Sequence, residues 1–331
     1  MSYHVKNLVS NISGRSKKQD PLLLNANGII ILRETLWVAS AVSSKIMNYD
    51  LCGNKIRTIN VEDIINGPLF VTSLVYNKNE KFKDEKGNSP LIIAATLGGI
   101  DGFGTIEGYF PNKNFSNTIT LNKIFEASYR GLAMGKSYLY AADFFGKKID
   151  VFGPNNFVYN PSIQFIDNLL PPDYSPHNIV YLNGKLFVAY AKQNQEIKNS
   201  IVPGIGFGFV NIFDMKGKLL SRFIQRGKLN APWGISKLPK HFGLTDYQKE
   251  NSLHYDLPKN SLLISNFGDG KINVFDENGK FIKALRRNNC NNGEIVIEGI
   301  RGIDRYEDKL FFASAPEFLN GLVGRIDNVN C

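Results

Sequence analysis

Residues 262–282 read LLISNFGDGKINVFDENGKFI and show the unit from which the chain is built. The segment contains an apolar strand, a turn rich in Gly, Asp and Asn, an alternating strand, a second turn and the start of a third strand. It recurs as LYAADFFGKKIDVF at 139–152, as FVNIFDMKGKL at 209–219, and as LWVAS at 36–40 followed by KIMNYDLCGNK at 45–55. Modules of short antiparallel strands that repeat in this way stack radially in β-propellers. The recurrence therefore predicts an all-β propeller.

A small or turn-forming residue opens the innermost strand of each predicted module, where strands converge on the axis and backbones crowd. The longer modules carry polar insertions, and the shorter ones match the roughly 40–50 residues of a four-stranded blade. We predict six blades, which begin near residues 25, 68, 128, 175, 230 and 299. The register positions are Gly28, Ser73, Gly131, Asn178, Gly234 and Gly302.

The last module lacks an outer strand, because only four residues follow the GRID segment at 324–327. The N-terminal segment YHVKNLVS, at 3–10, has the character of a strand. A ring of blades must close to remove its edges, and one terminus commonly completes the blade of the other. We therefore predict that residues 1–11 complete the last blade and that residues 1–331 form a single domain.

The formal net charge is +9, which favours contact with anionic partners such as nucleic acid, glycans or anionic lipid. The Lys and Arg residues are scattered, however, as on an ordinary solvated surface, so a nucleic-acid partner stays open. No apolar run reaches the length of a membrane span, and the N-terminus lacks the apolar segment of a signal peptide. We expect a soluble intracellular protein, or a secreted one if a leader has been removed. The three cysteines show no C-x-x-C spacing, which disfavours a zinc or redox motif.

Five further segments carry a family resemblance: DPLLLNANGI at 20–29, GKLFVAYAKQ at 184–193, LNAPWGI at 229–235, NFGDGKIN at 266–273 and GLVGRI at 321–326. In these segments the chain resembles an uncharacterised family of predicted six-bladed propellers, mostly bacterial, which is akin to NHL-repeat and lactonase-like propellers. The resemblance covers nearly the whole chain and implies the fold, but no established activity. Many members are secreted and carry a C-terminal sorting signal, and this sequence shows neither feature. The Asn-, Lys- and Ile-rich composition indicates an AT-rich genome, such as that of an amoebal bacterium or a giant virus.

The residue before each register position is predicted to face the mouth of the central channel. This ring has two arginines and no carboxylate. Arginine pairs bidentately with carboxylate or phosphate, and Trp offers a stacking face, so we predict a ligand site for an anion. In a structural alternative, both arginines pair with Asp143 or Glu298. The predicted site comprises Asn27, Thr72, Arg130, His177, Asn178, Trp233 and Arg301.

Two classes of function stay open. In the first, the protein is a non-enzymatic binding or scaffold propeller that engages an anionic or protein partner through its loop face and channel mouth, in the virus particle if the source is viral. In the second, it is a lactonase-like hydrolase with a divalent metal in the channel and His177 as an acid/base or metal-proximal group. Hard cations need oxygen ligands, normally with Asp or Glu among them, so a ring with two arginines favours the first class. We predict no catalytic residue, metal ligand or cofactor.

Overall fold

The computed structural model describes residues 3–63, 67–78, 80–97, 103–111, 118–242, 257–258, 260–287 and 293–328. The strands in the first half of the chain are β1 (Tyr3–Ser10), β2 (Lys18–Gln19), β3 (Ala26–Leu32), β4 (Thr35–Ser40), β5 (Lys45–Asp50), β6 (Lys55–Asn60), β7 (Glu62–Asp63), β8 (Gly67–Pro68), β9 (Val71–Tyr76), β10 (Ile92–Thr96), β11 (Phe103–Tyr109), β12 (Ile119–Phe125), β13 (Tyr129–Met134), β14 (Leu139–Asp143) and β15 (Lys148–Phe152).

The second half of the chain contributes eleven strands and a short 3-10 turn at Pro316–Phe318. No helix within the described ranges is long and apolar enough to cross a membrane. The strands are β16 (Tyr174–Leu182), β17 (Lys185–Lys192), β18 (Phe209–Phe213), β19 (Leu219–Gln225), β20 (Pro232–Lys237), β21 (Leu262–Asn266), β22 (Ile272–Phe275), β23 (Phe281–Ala284), β24 (Ile300–Tyr306), β25 (Lys309–Ser314) and β26 (Leu322–Asn328).

Six antiparallel sheets form a ring, and the predicted six-bladed β-propeller is confirmed. In chain order the blades are β3–β6, β9–β12, β13–β15, β16–β19, β20–β23 and, for the sixth, β24–β26 with β1 and β2. The innermost strands β3, β9, β13, β16, β20 and β24 contact one another in sequence, and β24 also contacts β3. These contacts close the ring around a central axis.

The N-terminal strand closes the last blade, as predicted. Strand β1 pairs with β26 in antiparallel fashion, with Tyr3 opposite Asn328 and Ser10 opposite Leu322. The Tyr3 side chain is buried, and its ring stacks on Phe242 with centroids 4.6 Å apart. The first strand of the chain therefore covers the edge that β26 would otherwise expose.

Within the described residues, six apolar clusters each lie between two consecutive blades, and a seventh, smaller cluster contains Phe144, Ala191 and Ala231. Side chains alternate between the two faces of a strand, so neighbouring residues enter different layers. On β21, Leu263 packs toward the sixth blade and Ile264 toward the fourth. Both faces of the inner strands are thus buried, which explains their continuous apolar sequence.

Close approach of the inner strands accounts for the small residues at the register positions. A Cβ atom on Gly131 would lie 2.7 Å from the Cα of Asn178 in the next blade. Side chains at the same level link blades by hydrogen bonds. The Ser73 hydroxyl accepts the backbone N–H of Leu132 at 3.0 Å. Glycine and short polar side chains therefore occupy the positions at which neighbouring inner strands approach closely.

The recurring Asp-x-x-Gly segments form tight turns at the ends of strands. In the turn at 276–279, the Asp276 carboxylate accepts the backbone N–H groups of Asn278 and Lys280, both at 2.9 Å. Gly279 has a φ of +81°, in the left-handed region that favours glycine. Equivalent turns follow Asp50 and Asp214. These carboxylates therefore serve as turn residues, as the sequence predicts.

Candidate functional site

Two cavities lie on the propeller axis. The first, of about 380 Å³, lies where the inner strands begin and is called the arginine cavity here. The second, of about 500 Å³, follows the inner strands toward their other ends and is called the axial cavity. Trp233 lines both. The arginine cavity is lined by Asn25, Asn27, Ala41, Thr72, Leu97, Arg130, Ile197, Asn199, Ser200, Ile201, Pro203, Trp233, Phe267, Arg301 and Phe318.

The seven predicted site residues divide between these cavities and the interior. Asn178 lines the axial cavity, where its amide donates to the Trp233 carbonyl oxygen at 2.8 Å. His177 lines neither cavity and has no exposed surface. The five residues of the predicted set that line the arginine cavity are Asn27, Thr72, Arg130, Trp233 and Arg301.

Thr72 and Asn27, two neutral residues of the predicted site, donate hydrogen bonds to backbone carbonyl oxygens. The Thr72 hydroxyl donates to the carbonyl oxygens of Ala95 at 3.1 Å and Tyr129 at 2.7 Å, which links the second and third blades. The Asn27 amide donates to the carbonyl oxygen of Asn25 at 2.8 Å. These bonds hold Thr72 and Asn27 in place at the rim of the cavity. The charged residues in its lining are the two arginines.

Arg130, on β13, is held against the loop that follows the fourth blade's second strand. Its Nη2 donates to the carbonyl oxygen of Asn199, and its Cζ lies 4.3 Å from the centroid of the Phe144 ring. The Nε atom is buried and has no hydrogen-bond partner in the part of the chain that the structure describes. Arg130 therefore has a donor that these residues do not satisfy.

Arg301, on β24, is more deeply buried, with 8% of its surface exposed. Its Cζ lies 4.7 Å from the centroid of the Phe267 ring, so the guanidinium stacks on an aromatic face. The Nη1 atom is buried and has no hydrogen-bond partner among the described residues. Two arginines from different blades thus line the cavity, and each keeps one buried N–H donor without an acceptor in the described part of the chain.

No carboxylate within the described residues forms an ion pair with Arg130 or Arg301. The prediction that Asp143 or Glu298 pairs with them is wrong. Asp143 accepts the backbone N–H groups of Ser128 and Gly146 at 2.9 and 3.0 Å, at the turn of its own blade. Glu298 accepts the backbone N–H of Glu317 at 3.0 Å. Both carboxylates satisfy backbone donors and leave the arginines without a counter-ion.

The missing counter-ion changes the proton equilibria of the arginines. Burial lowers the pKa of Arg130 to about 10. Burial, reinforced by the positive charge of Arg130, lowers the pKa of Arg301 to about 9. Both groups remain protonated at neutral pH. Two like charges therefore share a desolvated space, an arrangement that costs free energy until an anion enters.

His177 lies between the two aromatic rings that carry the arginines. Its ring centroid is 5.6 Å from that of Phe144 and 6.3 Å from that of Phe267. Its Nδ1 lies 2.9 Å from the Pro232 carbonyl oxygen, so Nδ1 carries the proton and donates. Burial, followed by the charge of Arg130, lowers the pKa of His177 well below 6.5. The imidazole is neutral and packs between the two phenyl rings, tilted against Phe144 and edge-on to Phe267.

A calcium ion, which the lactonase-like resemblance implies, does not fit these residues. Within the part of the chain that the structure describes, no three His, Cys, Asp or Glu side chains cluster as metal ligands. The axis instead presents two guanidinium groups, which repel a divalent cation. The donor set of the arginine cavity is therefore suited to an anion.

Several residues around the two arginines are absent from the predicted site, although one signal for them was present. Phe144, which contacts Arg130, and Phe267, which lines the cavity, follow the strand in equivalent positions of the repeats LYAADFF and LLISNF, so the repeat alignment makes them counterparts in two blades. Asn199 and Ile197 belong to an insertion between β17 and β18 that the sequence marks only as polar. Phe318 lies in the 3-10 turn. Neither of these segments carries a pattern that predicts which way its side chains face.

The axial cavity holds a different charged group. Asp304, on β24, lines it and accepts the backbone N–H of Ile31 at 2.9 Å and that of Arg305 at 2.8 Å. Burial raises the pKa of Asp304 to about 6, although the two N–H groups oppose that rise. The carboxylate also links the sixth blade to the first. Its structural partners are already in place.

Comparison of whole sequences identifies close relatives. No protein-family model matches the chain. An uncharacterized protein of Acanthamoeba polyphaga mimivirus is 34% identical over 98% of this chain and 80% of its own length. A second protein of that virus is 32% identical over 98% of this chain and 86% of its own length. The chain belongs to this family of mimivirus proteins. The bacterial character expected from the sequence resemblance is not confirmed by these viral relatives.

Solved structures similar to this member of the mimivirus family support the fold. A structural genomics protein of unknown function from Bacteroides thetaiotaomicron superposes with a TM-score of 0.62, at 10% identity, over 98% of this chain and 76% of that chain. An α-L-arabinofuranosidase from Fusarium graminearum, in complex with arabinobiose, gives a TM-score of 0.61 at 11% identity over 98% of each chain. At this identity the likeness concerns architecture alone, because one fold hosts many activities.

Proposed function

We propose that this propeller is a non-enzymatic binding protein that holds an anionic group of its partner between Arg130 and Arg301 at one mouth of the channel. One observation carries the proposal: Arg301, which is buried, and Arg130, which is half-buried, each keep a buried N–H donor without an acceptor among the described residues, and no carboxylate there forms an ion pair with either. A desolvated charge without a partner is destabilising. An external anion supplies the counter-ion.

The surroundings of the site support an exchangeable anion. The net charge of +9 favours the approach of anionic partners, and a narrow cationic mouth concentrates them further. The site draws on several blades, so we take residues 1–331 as one functional domain. The viral relatives favour a role in the virus particle, where the propeller would act as a scaffold.

The lactonase-like alternative receives less support from the geometry. His177 was its candidate acid/base group, but this side chain is fully buried and lines neither axial cavity. A general base must reach its substrate within hydrogen-bond distance, directly or through one water. The two arginines also occupy the position that a channel metal would need. We therefore retain binding as the proposed function.

The test is anion binding by calorimetry at low ionic strength, with inorganic phosphate and acetate as probes. We expect the wild-type protein to bind at least one of them and Arg130→Met/Arg301→Met to weaken that binding at least about tenfold, since both charge-assisted bonds are lost. The control is Arg15→Met/Arg287→Met, which changes the net charge equally at two exposed residues. Equal binding by the two double variants would contradict the proposal. Stoichiometric calcium in protein purified without chelator would also overturn it.

A further inference from the structure

The rim of the arginine cavity exposes two large apolar side chains. Phe318 is 65% exposed and Ile197 is 63% exposed, and both line the cavity. Exposed apolar groups beside a polar site are typical of ligand-binding surfaces. The Phe318 ring meets the Phe267 ring edge-on, with centroids 5.8 Å apart. The apolar rim is therefore continuous with the aromatic wall on which Arg301 stacks.

The backbone holds Phe318 on this rim at a cost. Glu317 and Phe318 have φ values of 53° and 61°, in the left-handed region that bulky residues avoid. Residues held in this region carry backbone strain and concentrate at ligand sites. The turn is anchored below, where Glu298 accepts the Glu317 N–H. The geometry thus keeps an aromatic ring in solvent beside two unpaired cations.

The size of the cavity exceeds that of a simple ion. A phosphate ion displaces only a few water molecules, each of about 30 Å³ in the liquid, and the cavity measures about 380 Å³. Apolar walls retain water poorly, so a bare ion would leave much of the space unfavourably hydrated. Trp233 and Phe267 provide flat walls between the charged floor and the rim. A ligand that fills the site needs a flat apolar body behind its charged end.

We propose that the arginine cavity takes a small amphipathic anion, in which a carboxylate or phosphate group lies between Arg130 and Arg301 and a flat apolar body lies against Trp233 and Phe318. This inference rests on the proposed anion-binding function and adds the class of the ligand. Arg130 and Arg301 favour a negatively charged group. The aromatic side chains of the walls and rim favour an apolar ring attached to that group. A polymeric polyanion is not required, because both arginines line the same cavity.

Four anions and one neutral molecule separate the contributions of charge and body: phenyl phosphate, inorganic phosphate, phenylacetate, acetate and phenylacetamide. The chain has two Trp residues, so Trp37→Phe leaves Trp233 as the single fluorescent reporter of the cavity. We expect each aryl anion to bind at least about tenfold more tightly than its simple counterpart, because a ring of this size gains that much from burial. Phenylacetamide should bind at least about tenfold more weakly than phenylacetate.

The variant Phe318→Ser tests the rim without touching the arginines. It should reduce the advantage of phenyl phosphate over inorganic phosphate to less than about threefold, because part of the apolar contact area is lost. Inorganic phosphate should bind it as it binds the wild type. Leu319→Ser is the matched control, because Leu319 is 64% exposed next to Phe318 but does not line the cavity. It should retain the full aryl preference.

The possible failures are distinguishable. If simple and aryl anions bind equally well, or if Phe318→Ser keeps the aryl preference, the ligand class is wrong and the anion site stands. If no anion binds the wild type, or if phenylacetamide binds as tightly as phenylacetate, the proposed function itself fails.

Discussion

Buried Arg301 and half-buried Asp304, two charged residues on β24, differ in how the fold satisfies their side chains. The two oxygens of Asp304 accept the backbone N–H groups of Ile31 and Arg305. Arg301 stacks on Phe267 but keeps a buried N–H without an acceptor. Buried polar groups are nearly always satisfied in native proteins. The carboxylate is thus satisfied by donors of the fold, whereas the guanidinium is the group for which we propose a partner from outside the chain.

The two cavities that these side chains line differ in the same way. The axial cavity has a carboxylate that the fold supplies with donors, and it therefore needs no ligand to satisfy it. The arginine cavity has two cations, Arg130 and Arg301, that the described residues supply with aromatic faces and with the Asn199 carbonyl oxygen, but with no carboxylate. Buried charge with its partners in place contributes to structure, and buried charge without them marks the candidate binding site.

Both cavities depend on a closed ring, and opening it should have the largest effect. Deletion of residues 1–11 removes β1 and the buried Tyr3 and exposes the edge of β26. We expect aggregation or loss of the cooperative unfolding transition, because an unpaired edge strand recruits other chains. Calorimetry and light scattering provide the measurement. A truncated protein that remains monomeric and melts like the parent would contradict closure by the N-terminal strand.

The next effect concerns the close approach of blades that sets the width of the axis. Gly131→Ala places a Cβ 2.7 Å from Asn178 Cα and 2.9 Å from the Ile179 nitrogen, both in the next blade. We expect a loss of about 2–3 kcal/mol in the free energy of unfolding, because backbone cannot move aside as a side chain can. Gly153→Ala, in the same blade, is the control, since its nearest contact would be at 3.7 Å. Equal urea unfolding curves for both variants would refute the close approach.

The sequence was sufficient to predict the architecture, because strand periodicity and turn chemistry repeat along the chain. The small residue at Gly131 and the closure by residues 1–11 follow from the same local rules. The partners of buried charges do not follow from these local rules. Asp143 was a reasonable partner for Arg130 by distance along the chain, yet its oxygen accepts N–H groups of its own turn. The partner of a buried charge depends on side-chain direction across blades, which no sequence period encodes.

The ionisation of Asp304 should make the stability of the protein depend on pH. Its pKa in the folded protein, about 6, lies above its usual value of 3.8, so the folded state favours the protonated form. Its contribution to stability is therefore present below pH 4 and is lost as pH rises through 6. We expect the stability of the wild type relative to Asp304→Asn to fall by about 2 kcal/mol between pH 4 and pH 7. A constant difference in urea unfolding across this range would show that the carboxylate does not titrate there.

The smallest expected effect is a gain in stability when Arg301 is replaced. Arg301→Met removes a buried cation that has no counter-ion, and the Met side chain can retain apolar contact with Phe267. In anion-free buffer at pH 7, we expect the melting temperature to rise by about 2 °C, which corresponds to roughly 1 kcal/mol in a protein of this size.

The pH dependence of this gain follows from the pKa of Arg301, which is about 9 in the folded protein and so lies below its usual value of 12.5. The cost of the buried charge is therefore present below pH 9 and is relieved as pH rises further. The gain from Arg301→Met should therefore shrink above pH 9, and saturating phenyl phosphate should reverse the order by stabilising only the wild type. Arg15→Met should melt within about 1 °C of the wild type, because an exposed substitution changes stability little. A fall in melting temperature for Arg301→Met without anion would show that this arginine, like Asp304, is a structural link after all.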